Sequence, residues 1–308
     1  MKLSIIIPFY NEEASIAALF KALFETLETL KPDVTPEIIC VDDASTDQTH
    51  ALLVKEKQTR IGLQIIRLSR NFGKEAALTA GLDHAKGDAV LFMDADLQHP
   101  PGIIPELLAG LSGEVDVVYG VRDSRITDGR VRAGFSRMFY SLFSRLSRVK
   151  IPPNAGDFRI LSRRAADALR ALPERRRFMK GLYAWIGFKQ VALPYTIEPR
   201  FAGSSKWSFS SLFGYAFGGL VSFSNVPLRI VTVSGGCIAL LSALYAIYIM
   251  IDTLVTGRET PGFATLAIAI FFFSGVQLLS LGVVGEYVGR IFDETKGRPT
   301  YIIESLDD

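Results

Sequence analysis

Cysteine is nearly absent from this 308-residue chain, which holds only Cys40 and Cys237. Cys40 falls in an apolar run that reads as a buried strand, and Cys237 in a membrane-like stretch. Neither has a neighbour at metal-ligand spacing, so the sequence argues against a structural zinc site and a disulfide framework. Glycine is missing where a dinucleotide-binding fingerprint would need it. The first apolar run ends in Pro8-Phe9-Tyr10-Asn11-Glu12, and no Walker A sequence occurs. By local signals, the chain is neither an ordinary NAD-binding domain nor a P-loop domain. No signal peptide is expected, because Leu3–Tyr10 is short and is followed at once by Asn11, Glu12 and Glu13. The front of the chain is therefore expected in the cytoplasm. Internal repeats and low-complexity segments are also lacking.

What is present is apolar. Such residues make up 49% of the chain, and the mean hydropathy is +0.26. That is high for a soluble enzyme and low for a polytopic transporter, and it fits a soluble domain joined to a few membrane helices. The net charge of +2 hides a basic block, because residues 122–150 hold eight Lys or Arg against Asp123 and Asp128. Such a block is either a solvated face or a surface that meets anionic lipid or phosphate.

Through residue 121, β-branched apolar runs at 3–7, 37–41, 64–68, 89–93 and 116–121 alternate with helical patterns at about 12–30, 46–59, 73–86 and 102–111. This alternation predicts an α/β fold with a mainly parallel sheet. Ligands of such sheets bind beyond the carboxyl ends of the strands. Residues 131–149 place Val131, Phe135, Met138, Leu142 and Leu146 at helical spacing with arginines between them. They read either as a core-facing helix or as one lying in a membrane interface, and the aromatic stretch 207–223 favours the interface. Segments 230–251 and 263–285 hold no charged residue, and each exceeds the roughly 20 residues that span a bilayer. Arg229, Arg290, Lys296 and Arg298 flank them, against Arg258 alone in the loop 252–262. The positive-inside rule puts both ends in the cytoplasm. Three regions are therefore expected: a cytoplasmic domain over 1–228, with interface helices at 131–149 and 207–226, a two-span hairpin over 229–289, and a cytoplasmic tail over 290–308.

Acidic residues follow the strands. Asp42-Asp43-Ala44-Ser45-Thr46-Asp47 comes after the second strand. Ser45 or Thr46 would cap the next helix, whereas a carboxylate here could accept hydrogen bonds from a base or ribose. Asp94-Ala95-Asp96-Leu97-Gln98-His99 comes after the fourth strand. Two acids at i and i+2 suit a hard cation on a diphosphate; the plainer reading is a solvated turn, with His99 as a turn residue. Asp157, in Asn154-Ala155-Gly156-Asp157-Phe158, follows the Pro152-Pro153 break. Ser162 is the better N-cap for a helix over 162–171, which leaves Asp157 free to face an acceptor. Glu286 ends the second span, either as a functional acid or as an i,i+4 partner of Arg290.

The blocks SIIIPFYNE, VDDASTDQT, NFGKEAALTAGLDHAKGD and DADLQHPP, in that order, resemble those of family 2 glycosyltransferases. With NAGDFRILSRR, RFAGSSKWSF and GEYVGRIFDETKGRP, the resemblance narrows to polyprenyl-phosphate glycosyltransferases such as bactoprenol glucosyltransferases and dolichol-phosphate mannose synthases, and it covers essentially the whole chain. It implies an A-type nucleotide-diphosphate-sugar fold. By resemblance, Pro8, Tyr10, Glu12 and Asp43 line the base and ribose pocket, and Asp94 and Asp96 hold Mg²⁺ or Mn²⁺ with Gln98 nearby. Arg122, Arg200 and Lys206 meet phosphate, and Asp157 is the candidate base; residues 200–206 also read as a membrane-proximal loop. The Q-x-x-R-W motif of processive synthases is missing, so single transfer is implied. The expected reaction is inverting transfer of a hexose, with UDP-glucose the favoured donor, to undecaprenyl or another polyprenyl phosphate at the bacterial inner membrane. GDP-mannose, another nucleotide-sugar or a non-lipid acceptor stays open, as does a non-enzymatic membrane scaffold. The implied partners are the nucleotide-sugar, the polyprenyl phosphate and the lipid bilayer, with no nucleic acid; a homo-oligomer is left open.

Overall fold

The computed structural model describes residues 1–122, 149, 151–152, 155–175, 177–196, 224, 226–256 and 262–307. They form two compact units. The first is an eight-stranded sheet flanked by helices, with strand order β7-β5-β6-β4-β1-β2-β3-β8.

Its first half follows the expected alternation: β1 (Lys2–Phe9), α1 (Ile16–Thr29), β2 (Thr35–Asp42), α2 (Thr49–Thr59), β3 (Leu63–Leu68), α3 (Lys74–His84), β4 (Ala89–Phe92), a 3₁₀ turn (Pro101–Ile103), α4 (Ile104–Ala109) and β5 (Val117–Arg122). Strands β4, β1, β2 and β3 are parallel neighbours. Leu3 and Ile5–Ile7 are wholly buried, as a strand covered on both faces requires, and this explains their unbroken apolar run. Helix α3 buries every residue from Ala76 to Leu82. A Cβ added at Gly81 would lie 2.3 Å from Ile6 Cγ2, so only glycine lets α3 lie this close to β1. The close approach fixes the start of α3 at the carboxyl edge of the sheet.

The second half departs from the sequence reading. Asp157, which follows the Pro152-Pro153 pair, lies inside β6 (Ala155–Ser162), which runs antiparallel to β4 and β5. Ser162 caps the following helix α5 (Arg163–Arg170) by accepting the Ala165 N–H, as expected. Helix α6 (Met179–Trp185) leads to β7 (Gln190–Tyr195), which is parallel to β5. Residues 303–307, expected as tail, form β8 antiparallel to β3. Glu304 pairs with Arg67 at 2.9 Å, and the Tyr301 hydroxyl donates to Asp83 at 2.9 Å. This strand covers an edge of the sheet that would otherwise offer unpaired backbone groups.

The second unit is a pair of long helices, α7 (Val226–Thr256) and α8 (Phe263–Thr295). Within them, Leu228–Asp252 and Ala269–Thr295 are long and apolar enough to cross a membrane, and the apolar window of each is unburied. Glu286 forms the i,i+4 pair with Arg290, at 3.0 Å. The expected interface helix at 131–149 falls outside the described residues but for Val149, and the one at 207–226 outside them but for Ser224 and Val226.

Candidate active site

Three loops leave the carboxyl ends of β1, β2 and β4, and each contains one non-glycine residue in the left-handed region: Asn11 (φ 53°), Ala44 (φ 54°) and Leu97 (φ 60°). Such backbone is held only where the surroundings over-determine it, and it gathers at functional sites. The first two loops are laced together. Ser45 Oγ accepts the Asn11 N–H at 3.0 Å, and Asn11 Oδ1 accepts the Thr46 N–H at 2.8 Å. Neither Ser45 nor Thr46 caps α2, whose first residue is Thr49. Their polar groups tie loop to loop instead, which corrects the capping expectation.

Pro8 lies in β1 opposite Val41 of β2. Tyr10, just beyond the strand, is exposed, and the Glu12 N–H is anchored on Thr49 Oγ1 at 2.9 Å. The consecutive acids of the second loop divide their work. Asp42 turns inward, accepting the Ser45 N–H at 2.9 Å and lying 3.3 Å from His50 Nδ1. Asp43 accepts the N–H groups of Phe72 and Gly73 at 2.7 and 2.8 Å and so fixes the approach to α3. Burial raises the Asp43 pKa, and those two hydrogen bonds only partly offset it. Each oxygen keeps a further lone pair for a base or ribose donor.

The loop after β4 supplies Asp94 and Asp96. Asp96 Oδ1 accepts the Gln98 N–H at 3.1 Å. His99 is not a solvated turn residue. It is 1% exposed, stacked on Phe158 at 4.8 Å, with Nδ1 3.8 Å from Asp94 Oδ2. Because β6 pairs antiparallel with β4 in the register Phe92↔Arg159, Asp157, two residues before Arg159, comes to the edge that carries Asp94, two residues after Phe92. Between them sits the Lys74 ammonium, 2.6 Å from Asp94 Oδ1 and 2.7 Å from Asp157 Oδ2. Burial works against the charge of Asp157, but the charges of Lys74 and Lys180 outweigh it and hold the carboxyl far below the usual range. Asp94 is likewise lowered by Lys74 despite its burial. Behind them, the Arg159 guanidinium is buried 3.7 Å over the Tyr183 ring.

Sequence reasoning missed Lys74. A signal existed: it is the first residue of α3, where a cation opposes the helix dipole and calls for a compensating partner. Arg122 ends β5 beside Tyr195, while Arg200 and Lys206 lie outside the described residues.

The donor set at Asp94 and Asp96 is all oxygen. Among the described residues no group of three or more His, Cys, Asp or Glu could hold a metal by itself. A divalent cation would thus take one or two carboxylates here and complete its shell from phosphates and water, which is the habit of Mg²⁺. Lys74 offsets Asp94 and Asp157, and a divalent cation beside Asp96 would offset the remaining charge that an anionic diphosphate meets. The residues fit such an ion.

The profile of glycosyl transferase family 2 matches residues 4–170, and that of the GtrB C-terminal hairpin matches 226–291. An uncharacterized glycosyltransferase of Synechocystis sp. is 47% identical over 99% of this chain and 96% of its own length. A bactoprenol glucosyl transferase of Shigella phage SfV is 42% identical over 99% of both chains. The chain therefore belongs to glycosyl transferase family 2, and it is an enzyme of the glycosyltransferase class. In fold it is similar to a mannosyltransferase of Pyrobaculum calidifontis solved with GDP-Man and Mn²⁺ (TM-score 0.51, 18% identity, covering 94% of this chain and 87% of that one). The fold is thus GT-A-like, as the resemblance implied.

Proposed function

We propose that this enzyme transfers glucose from UDP-glucose to undecaprenyl or another polyprenyl phosphate, with inversion, at the cytoplasmic face of a bacterial inner membrane. The observation that carries this reading is the likeness to bactoprenol glucosyl transferases along the whole chain, across both the catalytic unit and the apolar hairpin. A non-lipid acceptor would leave the hairpin without a purpose.

In this reading a phosphate oxygen of the acceptor attacks the anomeric carbon and the nucleoside diphosphate departs from the opposite face. A phosphate monoester has a second pKa of about 6 and is already ionised at neutral pH, so it needs little help from a base. Asp94 and Asp96 would hold Mg²⁺ or Mn²⁺, which would offset charge on the diphosphate leaving group. Pro8, Tyr10, Glu12 and Asp43 would meet the nucleoside, with Gln98 beside the metal carboxylates. Arg122, Arg200 and Lys206 would hold the acceptor phosphate. Asp157 would orient the acceptor, since a carboxyl held this far below its usual pKa is a weak base.

The test is a donor screen of UDP-glucose, GDP-mannose and UDP-N-acetylglucosamine with purified enzyme and undecaprenyl phosphate, read by mass of the lipid product. A hexosyl lipid from UDP-glucose is expected. A lipid product only with GDP-mannose would overturn the donor, and transfer only to a water-soluble glycan would overturn the acceptor.

Orientation is tested separately by cysteine labelling in a Cys237→Ser background, because Cys237 is exposed while Cys40 is buried. A cysteine placed between Asp252 and Gly262 is expected to react with an impermeant reagent from outside the cell, and Lys296→Cys is not. The reverse pattern would refute the positive-inside assignment.

A further inference from the structure

The Lys74 ammonium lies within hydrogen-bond distance of two carboxylates, Asp94 in the loop after β4 at 2.6 Å and Asp157 in β6 at 2.7 Å. The first belongs to the loop that faces the donor diphosphate in the proposed function, and the second to the strand assigned to the acceptor. Lys74 is itself held by a chain of contacts. Gly73 precedes it at φ 96°, a conformation that L side chains rarely adopt. The N–H groups of Phe72 and Gly73 are both clamped by Asp43. Small buried residues then press α3 onto the sheet. A cation at the start of a helix gains nothing from the backbone, whose dipole opposes it there. Its two carboxylate partners are what favour it in that place.

Asp157 is occupied on one oxygen only. Its Oδ2 meets Lys74, whereas Oδ1 is buried with no hydrogen-bond partner among the described residues. A buried carboxylate oxygen left in this way calls for a partner that arrives later.

We propose that Lys74 is a positioning residue for transfer: its ammonium clamps Asp94 and Asp157 at one spacing, tying the donor side of the site to the acceptor side. Lys74 acts through Asp157. By taking Oδ2, it orients the carboxylate and leaves Oδ1 for the acceptor-side group. This rests on the function proposed above.

Removing Lys74 alone leaves the Asp94 and Asp157 carboxylates without their shared cation, which lowers stability, so turnover is read on folded enzyme well below its thermal midpoint. The experiment uses the full-length enzyme and the variants Lys74→Met, Lys74→Arg, Asp157→Asn and the double variant Lys74→Met/Asp157→Asn. It reads kcat for lipid transfer, thermal midpoint, and the rise in thermal midpoint on adding UDP. Lys74→Met is expected to lose at least about tenfold in kcat, with a lowered midpoint and a UDP response close to wild type. Lys74→Arg should fall between the two. The double variant should be no slower than the slower single variant, because residues that act as a unit do not lose activity multiplicatively.

Losses that multiply in the double variant would overturn the proposal, as would wild-type kcat in Lys74→Met. If Lys74→Met fails to fold, Lys74→Gln, which keeps a donor but not the charge, carries the test: folded with a kcat clearly below wild type it supports the proposal, and at full kcat it refutes it. Failure of the wild-type enzyme to glycosylate polyprenyl phosphate would refute the functional reading. A working wild type with Lys74 and Asp157 uncoupled would refute this inference alone.

Discussion

Asp96→Asn is expected to lower transfer by at least about 10²-fold, the scale of removing one electrostatic contact to developing charge, and to leave the fold intact. Asp96 Oδ1 accepts the Gln98 N–H, and the amide oxygen of asparagine can keep that bond while the charge is lost. Asp94→Asn would be a poorer probe, since it would also deprive Lys74 of one of its two anions. If Asp96 meets a divalent cation on the donor diphosphate, chelation by EDTA should silence the wild type, and added Mg²⁺ or Mn²⁺ should restore it. Calorimetric binding of Mn²⁺ in the presence of UDP should weaken in Asp96→Asn. Full transfer by the variant, or by the wild type in EDTA, would remove the metal from Asp94 and Asp96.

Asp157→Asn should be comparably damaging, losing at least about 10²-fold in turnover, with nucleotide-sugar affinity nearly unchanged. Two mechanisms predict that loss, and pH separates them. A proton-accepting base would give a limb in the pH–rate profile that the variant lacks. The structure favours an orienting role, because the charges of Lys74 and Lys180 outweigh burial and hold the Asp157 carboxyl far below the usual range. Its protonated form is therefore scarce at any pH where the enzyme would be assayed. Wild type and Asp157→Asn are expected to show pH profiles of the same shape, displaced only in height. A limb present in the wild type and lost in the variant would reinstate the base. Near-normal turnover by Asp157→Asn would take the residue out of the mechanism.

Much of this site could be read before the fold was seen. A strand that ends in Asp42-Asp43 or Asp94-Ala95-Asp96 announces its acids locally, and parallel topology sends all such strand ends to one edge. His99 could not be read this way. It follows a polar turn, and only packing against Phe158 and Tyr195 buries it. Asp157 stands out in the sequence, but nothing local to it records the antiparallel strand it belongs to. Strand β8 was missed because IESLD is short and weakly apolar, so its partner makes it a strand.

Alternation of β-branched runs with helical spacing, the acids at the strand ends and the two long uncharged segments are local properties, carried by period and length. The sequence by itself therefore determined the α/β class, the carboxylates at the strand ends and the pair of apolar helices. Only tertiary structure decided which side chains meet. Asp94 and Asp157 share one ammonium because β6 pairs antiparallel with β4 while α3 is pressed onto β1 through Gly81. These contacts join segments far apart in the chain, and no local period records them.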